Sequence, residues 1–255
     1  MEILRDLYYT NRLTAKKTYK LFLANWPIIF TGFVYTIINI ILFSVISFLF
    51  TGVLRLLAGI VIALATSSLV SNYLYLLSNI IKYDKFTLHD FKLGFKAFLW
   101  KVYGVLVIGW IAGLLFQMAL APILYRIIPS GILSLIISLL VFVFLNPLPE
   151  TIYQKFYSPW ETIVYSFEFI KENWLEWFIP NIVLIYLIYL TTGTTMTTLF
   201  PTQVFMGFDF SLKGILLYLL GQILFSFTMI YRGKLFETLS TSTRRKRLFM
   251  RDFYN

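Results

Sequence analysis

The sequence predicts an all-α membrane protein: six transmembrane helices laid out as three tandem copies of a cytoplasmic amphipathic helix followed by a transmembrane hairpin. Three observations predict it. Hydrophobic residues fill 59% of 255 positions and charged residues only 13%, with a mean hydropathy of +0.78. A soluble core of this size needs a charged exterior that these proportions do not supply, so lipid is the solvent for most of the chain. Six apolar runs, near 27–50, 54–81, 102–125, 131–150, 178–200 and 212–231, each reach the roughly 20 residues that cross a bilayer. Finally, an interval of 74 residues separates Tyr9, Tyr83 and Tyr157, and the same interval separates Trp26, Trp100 and Trp174. Each Tyr precedes a residue suited to capping a helix, Thr10, Asp84 or Ser158, and each Trp stands 16 residues after that cap. The copies cover about 9–82, 83–156 and 157–234 of a single membrane domain over 1–255, and 235–255 reads as a basic cytoplasmic tail.

Orientation follows from the cations. Of 22 Lys and Arg, 19 fall in 1–26, 82–101, 150–176 and 232–255, leaving Arg55, Arg126 and Lys213 for the other side. The positive-inside bias puts both termini and all three surface helices in the cytoplasm. The first 26 residues are charged and aromatic, so the first span is expected to act as an uncleaved anchor. The net charge of +10 reads as an orientation signal and headgroup contact, with no folded reader of nucleic acid beside it. Arg244-Arg245-Lys246-Arg247, followed by Leu248, Phe249 and Met250, reads as a segment lying on an anionic leaflet.

The first surface helix, 10–26, mixes Leu13, Lys17, Leu21 and Ala24 with Arg12, Lys16 and Lys20. Asn25-Trp26-Pro27 then turns the chain into the bilayer, and Thr51-Gly52 makes the first external turn. In the second span Ser68, Asn72, Tyr75 and Asn79 fall at i, i+4, i+7 and i+11, one helical stripe. Two readings stand: hydrogen bonds at a packing seam, or a polar wall lining a cavity or headgroup site. Asn146 lies 74 residues after Asn72, and Gln222 and Ser226 lie near the third equivalent position. These are the candidate ligand residues, and Trp26, Trp100 and Trp174 the candidate interface anchors.

The second surface helix starts at Asp84 or Thr87, with Leu88, Phe91, Phe95 and Leu99 on one face and Lys92 and Lys96 on another. The third span carries Gln117 and ends at Pro122, and Pro129-Ser130-Gly131 makes the next external turn. Asn146-Pro147-Leu148-Pro149-Glu150 should break the fourth helix near the cytoplasm, as a plain stop or a functional bend. Ser158, Pro159 and Glu161 start the third surface helix. Glu161, Glu168, Glu172 and Glu176 make 150–176 net −3, against +3 each for 1–26 and 82–101. That acidic helix, 158–176, is expected to pair with the basic N-terminal helix, the basic tail or a cytoplasmic partner protein. The fifth span ends in Thr191-Thr192-Gly193-Thr194-Thr195 with Thr197 and Thr198, whose hydroxyls bond back to the helix. Residues 201–211, with Phe205, Gly207, Phe208 and Phe210, form the longest external connection and dip into the interface.

Catalytic chemistry finds little here. The runs hold no Asp, Glu, Lys, Arg or His away from their ends, which argues against ion-coupled carriers, intramembrane proteases and lipid hydrolases. There is no Gly-rich phosphate loop, no cysteine and one histidine, His89, so no catalytic residue, cofactor or metal is assigned. An enzyme acting on headgroups at the membrane surface stays open.

Lys171-Glu172-Asn173-Trp174, an Asn-Trp after an amphipathic helix, and the exit Tyr231-Arg232-Gly233-Lys234-Leu235-Phe236-Glu237 carry a resemblance. They resemble a loose group of bacterial six-span membrane proteins, similar to the membrane domain attached to some glycerophosphodiester phosphodiesterases. The resemblance implies a bacterial plasma-membrane protein. It carries over no catalytic residue, because these 255 residues hold no counterpart of the phosphodiesterase barrel. The leading expectation is a non-enzymatic protein that binds or moves a hydrophobic or amphiphilic molecule, such as a membrane lipid. The alternatives are a permease subunit of an ATP-driven transporter and a structural or immunity-type scaffold.

Overall fold

The computed structural model describes residues 2–52, 55–194, 198–204 and 211–242, and every regular element in them is helical. In chain order these are α1 (Glu2–Ala24), α2 (Thr31–Leu49), α3 (Arg55–Tyr83), α4 (Leu88–Ala97), α5 (Leu99–Leu115), α6 (Ala121–Leu124), α7 (Ser130–Phe144), α8 (Leu148–Gln154), α9 (Pro159–Thr192) and α10 (Leu212–Thr241). They supply six stretches long and apolar enough to cross a membrane. Large apolar side chains such as Phe48, Met118 and Ile127 stand exposed along or beside them, as lipid-facing residues do.

Three breaks share one backbone shape. α1 gives way at Asn25 (φ −121°, ψ 30°) to a 3₁₀ turn, Trp26–Phe30, that feeds α2. α4 meets α5 at Phe98 (φ −119°, ψ 10°), and α9 is bent at Asn173 (φ −126°, ψ 19°). The asparagines assist by competing with the helix ladder: Asn25 Nδ2 donates to the Leu21 carbonyl at 2.9 Å and Asn173 Nδ2 to that of Phe169 at 3.1 Å. Asn25 also reaches the turn before α4, donating to the Asp84 carbonyl at 2.8 Å and accepting from Phe86 N–H at 3.1 Å. Thr87, paired with Asp90, caps α4, whereas Asp84 takes a positive φ of 63° in the preceding turn. Ser158 and Glu161 form the corresponding box on α9.

The remaining irregularities follow from proline and glycine. Pro122 removes a donor from the ladder, and α5 loosens into a π turn, Phe116–Leu120, before α6. The Pro147 and Pro149 pair separates α7 from α8. α9 ends on Gly193 at a left-handed φ of 68°, with the Thr191 and Thr192 hydroxyls bonded to carbonyls of the last turn.

α3, α8 and α10 form the centre. Half of the most apolar window of α3 and of α10 is buried, against 11–28% in the other spans. They close tightly at one end, where a Cβ on Gly233 would come within 2.5 Å of the Tyr153 hydroxyl and 2.9 Å of Ile81. Lys234 Nζ donates to the Ile81 carbonyl, Gln154 Nε2 to that of Gly233, and Lys101 Nζ to those of Ile152 and Lys155, all at 2.8–2.9 Å. α1 packs along α10, burying Asp6, Thr10, Thr14, Thr18 and Leu21 and leaving Leu13 exposed. Beside Leu21, small hydroxyl side chains make that face and let the two helices approach.

Three stretches differ from the sequence expectation. α1 begins at Glu2, so Thr10 lies inside the helix, buried, and does not cap it. The fifth helix stops at Thr192, and residues 198–204 turn back into the bundle, burying Pro201, Gln203 and Val204. Gln203 Oε1 accepts from Thr36 Oγ1 at 2.9 Å, and Val204 lies against Gly221. Irregular backbone inside a membrane bundle is tolerated where protein covers it. α10 continues as helix to Thr241, well into the stretch read as tail, and buries Leu235, Phe236 and Leu239. Thr195, Thr197, Phe205, Gly207, Phe208, Phe210, and Arg244 to Met250 lie outside the described residues.

Candidate functional site

The polar stripe of α3 spends its groups on α4. Ser68 Oγ donates to the Phe95 carbonyl at 3.0 Å, and Asn72 Nδ2 to that of Phe91 at 2.5 Å. Asn72 Oδ1 accepts from the Tyr35 hydroxyl of α2 at 2.6 Å. Ser71, which the stripe passed over, donates to the Gly94 carbonyl and accepts from Phe98 N–H, both at 2.7 Å. Tyr75 is half-buried beside Phe98. Asn79 is buried, with no side-chain hydrogen bond among the described residues. Gln222 of α10 is buried against Gly32, and its Nε2 has no partner among the described residues. Trp26, Trp100 and Trp174 are 56%, 72% and 56% exposed, so none is a core residue.

Asn146 belongs to a different group, one that sequence reasoning missed. Its Oδ1 accepts from Trp177 Nε1 at 2.8 Å and its backbone carbonyl from Arg232 Nη2 at 2.7 Å. Arg232 grips Glu150 side-on, Nε to Oε1 at 2.7 Å and Nη2 to Oε2 at 3.1 Å, with side chains 5% and 0% exposed. The guanidinium also stands over the Trp177 ring at 5.1 Å. Glu150 and Arg232 sit 82 residues apart at the ends of two apolar runs. The available signal was one acid and one base at matching ends of two even-numbered spans. Nearby, Lys155 lies over Tyr165 at 5.4 Å, and partial burial pushes its ammonium below the ordinary lysine range.

Two larger spaces flank this core. α5 and α7 splay apart around a cleft of about 740 Å³, lined chiefly by apolar groups including Ile108, Phe116, Leu133, Ile137 and Leu148. Gly109 and Gly113 open onto it, and a Cβ at either would touch nothing within 4 Å. Gln117, Ser134 and Ser138 supply its few polar side chains, Trp160 stands near one end, and Leu199 and Phe200 of the re-entrant segment form part of its wall. A second groove, about 560 Å³, runs between the first half of α9 and the end of α10, with Glu168, Glu172 and Glu176 along it. None of the spaces described is lined by Ser68, Asn72, Tyr75, Asn79 or Gln222. Comparison with protein-family models, with curated proteins and with solved structures gave no match.

Proposed function

We propose that this is a non-enzymatic protein of a bacterial plasma membrane that binds, and passes on, an amphiphilic molecule such as a lipid. The observation that carries the reading is the cleft between α5 and α7, an apolar space among spanning helices. Between Leu133 and Leu145 it follows α7 for about 18 Å, enough to hold most of an acyl chain. In this reading the hydrogen-bonded stripe of α3 is the frame, and the chain binds beside it. The three breaks of like backbone shape support three tandem copies, and the distribution of Lys and Arg supports cytoplasmic termini. The acidic groove of α9 is the proposed seat of a basic partner segment.

Native mass spectrometry of gently purified protein tests the cleft. Wild type is expected to retain lipid, and Gly113→Trp, which fills open space, to lose it while keeping its helical circular dichroism. Equal lipid retention by the two proteins would overturn the reading. Co-purification of a stoichiometric ATPase would point instead to a permease subunit.

A further inference from the structure

The guanidinium of Arg232 is only partly used. Nε and Nη2 serve Glu150 and the Asn146 carbonyl, while Nη1 makes no hydrogen bond among the described residues. Donors of a cation that no protein acceptor takes are answered by water or by a ligand. Arg232 lines a void of about 10 Å³ with Asn146, Phe142, Thr198, Leu199 and Pro201, room for about one water-sized group. Leu199 also lines the cleft, so the cleft and this void share a wall in the re-entrant segment.

We propose that Nη1 of Arg232 anchors the anionic oxygen, carboxylate or phosphate, at the head of the amphiphile whose chain fills the cleft. This rests on the cleft reading above. Glu150 holds the guanidinium side-on and so presents its other edge to a ligand. Lys101 and Lys155 lie at the end of α8, and Glu150, the acid beside the guanidinium, is already paired with it. Admission of the head requires Thr198–Pro201 to shift, because the void as it stands holds no more than one small group.

The test uses the full chain in detergent, a pyrene-labelled fatty acid and its methyl ester, at alkaline pH where the acid is ionised. Wild type is expected to bind the acid about tenfold more tightly than the ester. Arg232→Lys keeps a cation for Glu150 but lacks Nη1, and is expected to bind both at the ester's affinity. Thr198→Trp, at an exposed residue lining the void but not the cleft, should do the same with the ion pair intact, which covers failure of the first variant to fold. An acid-to-ester ratio near one in wild type, or a ratio that persists in both variants, overturns the anchor while leaving the cleft standing. Binding of neither probe sinks the cleft reading as well. Displacement of the acid by inorganic phosphate at equal affinity would assign the site to a free anion and overturn the headgroup.

Discussion

Glu150 and Arg232 show how much one contact can depend on its partner. Breaking a buried, doubly hydrogen-bonded pair from one side leaves a bare charge, which costs about 3–5 kcal/mol. Glu150→Gln is therefore expected to lower the thermal unfolding midpoint sharply, and the double replacement Glu150→Leu with Arg232→Met to recover much of the loss. Circular dichroism in detergent reads both. A smaller effect belongs to Asn72, whose replacement by Leu leaves the buried Tyr35 hydroxyl without its acceptor, at about 1–3 kcal/mol. The sequence marked Asn72 as important because helical spacing is visible in it. The pairing of Glu150 with Arg232, across 82 residues, leaves no periodic trace and showed only as an acid and a base at matching span ends.

Among the elements, the three breaks are not equally demanding. Asn25 makes hydrogen bonds to Leu21, Asp84 and Phe86, whereas Asn173 bonds only Phe169 among the described residues. Asn25→Ala is expected to cost about 2–4 kcal/mol and Asn173→Ala about 1 kcal/mol, measured by denaturant unfolding. Contact between α3 and α4 is closer still, for a Cβ on Gly94 would lie 3.1 Å from Asn72 Cα. Gly94→Ala should destabilise by about 1–3 kcal/mol, as overpacking does. Helix starts were legible where a capping box is written locally, as at Thr87 and Ser158, but not at Thr10, which lies inside α1. The re-entrant stretch 198–204 was not, because its burial comes from surrounding helices and no hydropathy pattern records it.

For the whole molecule, apolar length sufficed to find the six spans, while the splay of α5 from α7 had to be seen. Side chains of similar hydropathy line both a packed seam and an open cleft, so composition does not separate the two. Topology itself is open to a clean experiment, because the chain contains no cysteine. Thr51→Cys is expected to react with a membrane-impermeant maleimide from outside intact cells, and Glu168→Cys only after permeabilisation. The reverse pattern would invert the orientation. α10, regular over 30 residues and about 45 Å, passes Gln222 and Arg232 before reaching Thr241. An unjointed rod of that length does not absorb a push locally. Tyr231, the neighbour of Arg232 on that rod, hydrogen-bonds Asn11 of α1, so any shift of the rod at Arg232 would carry the first helix of the chain with it.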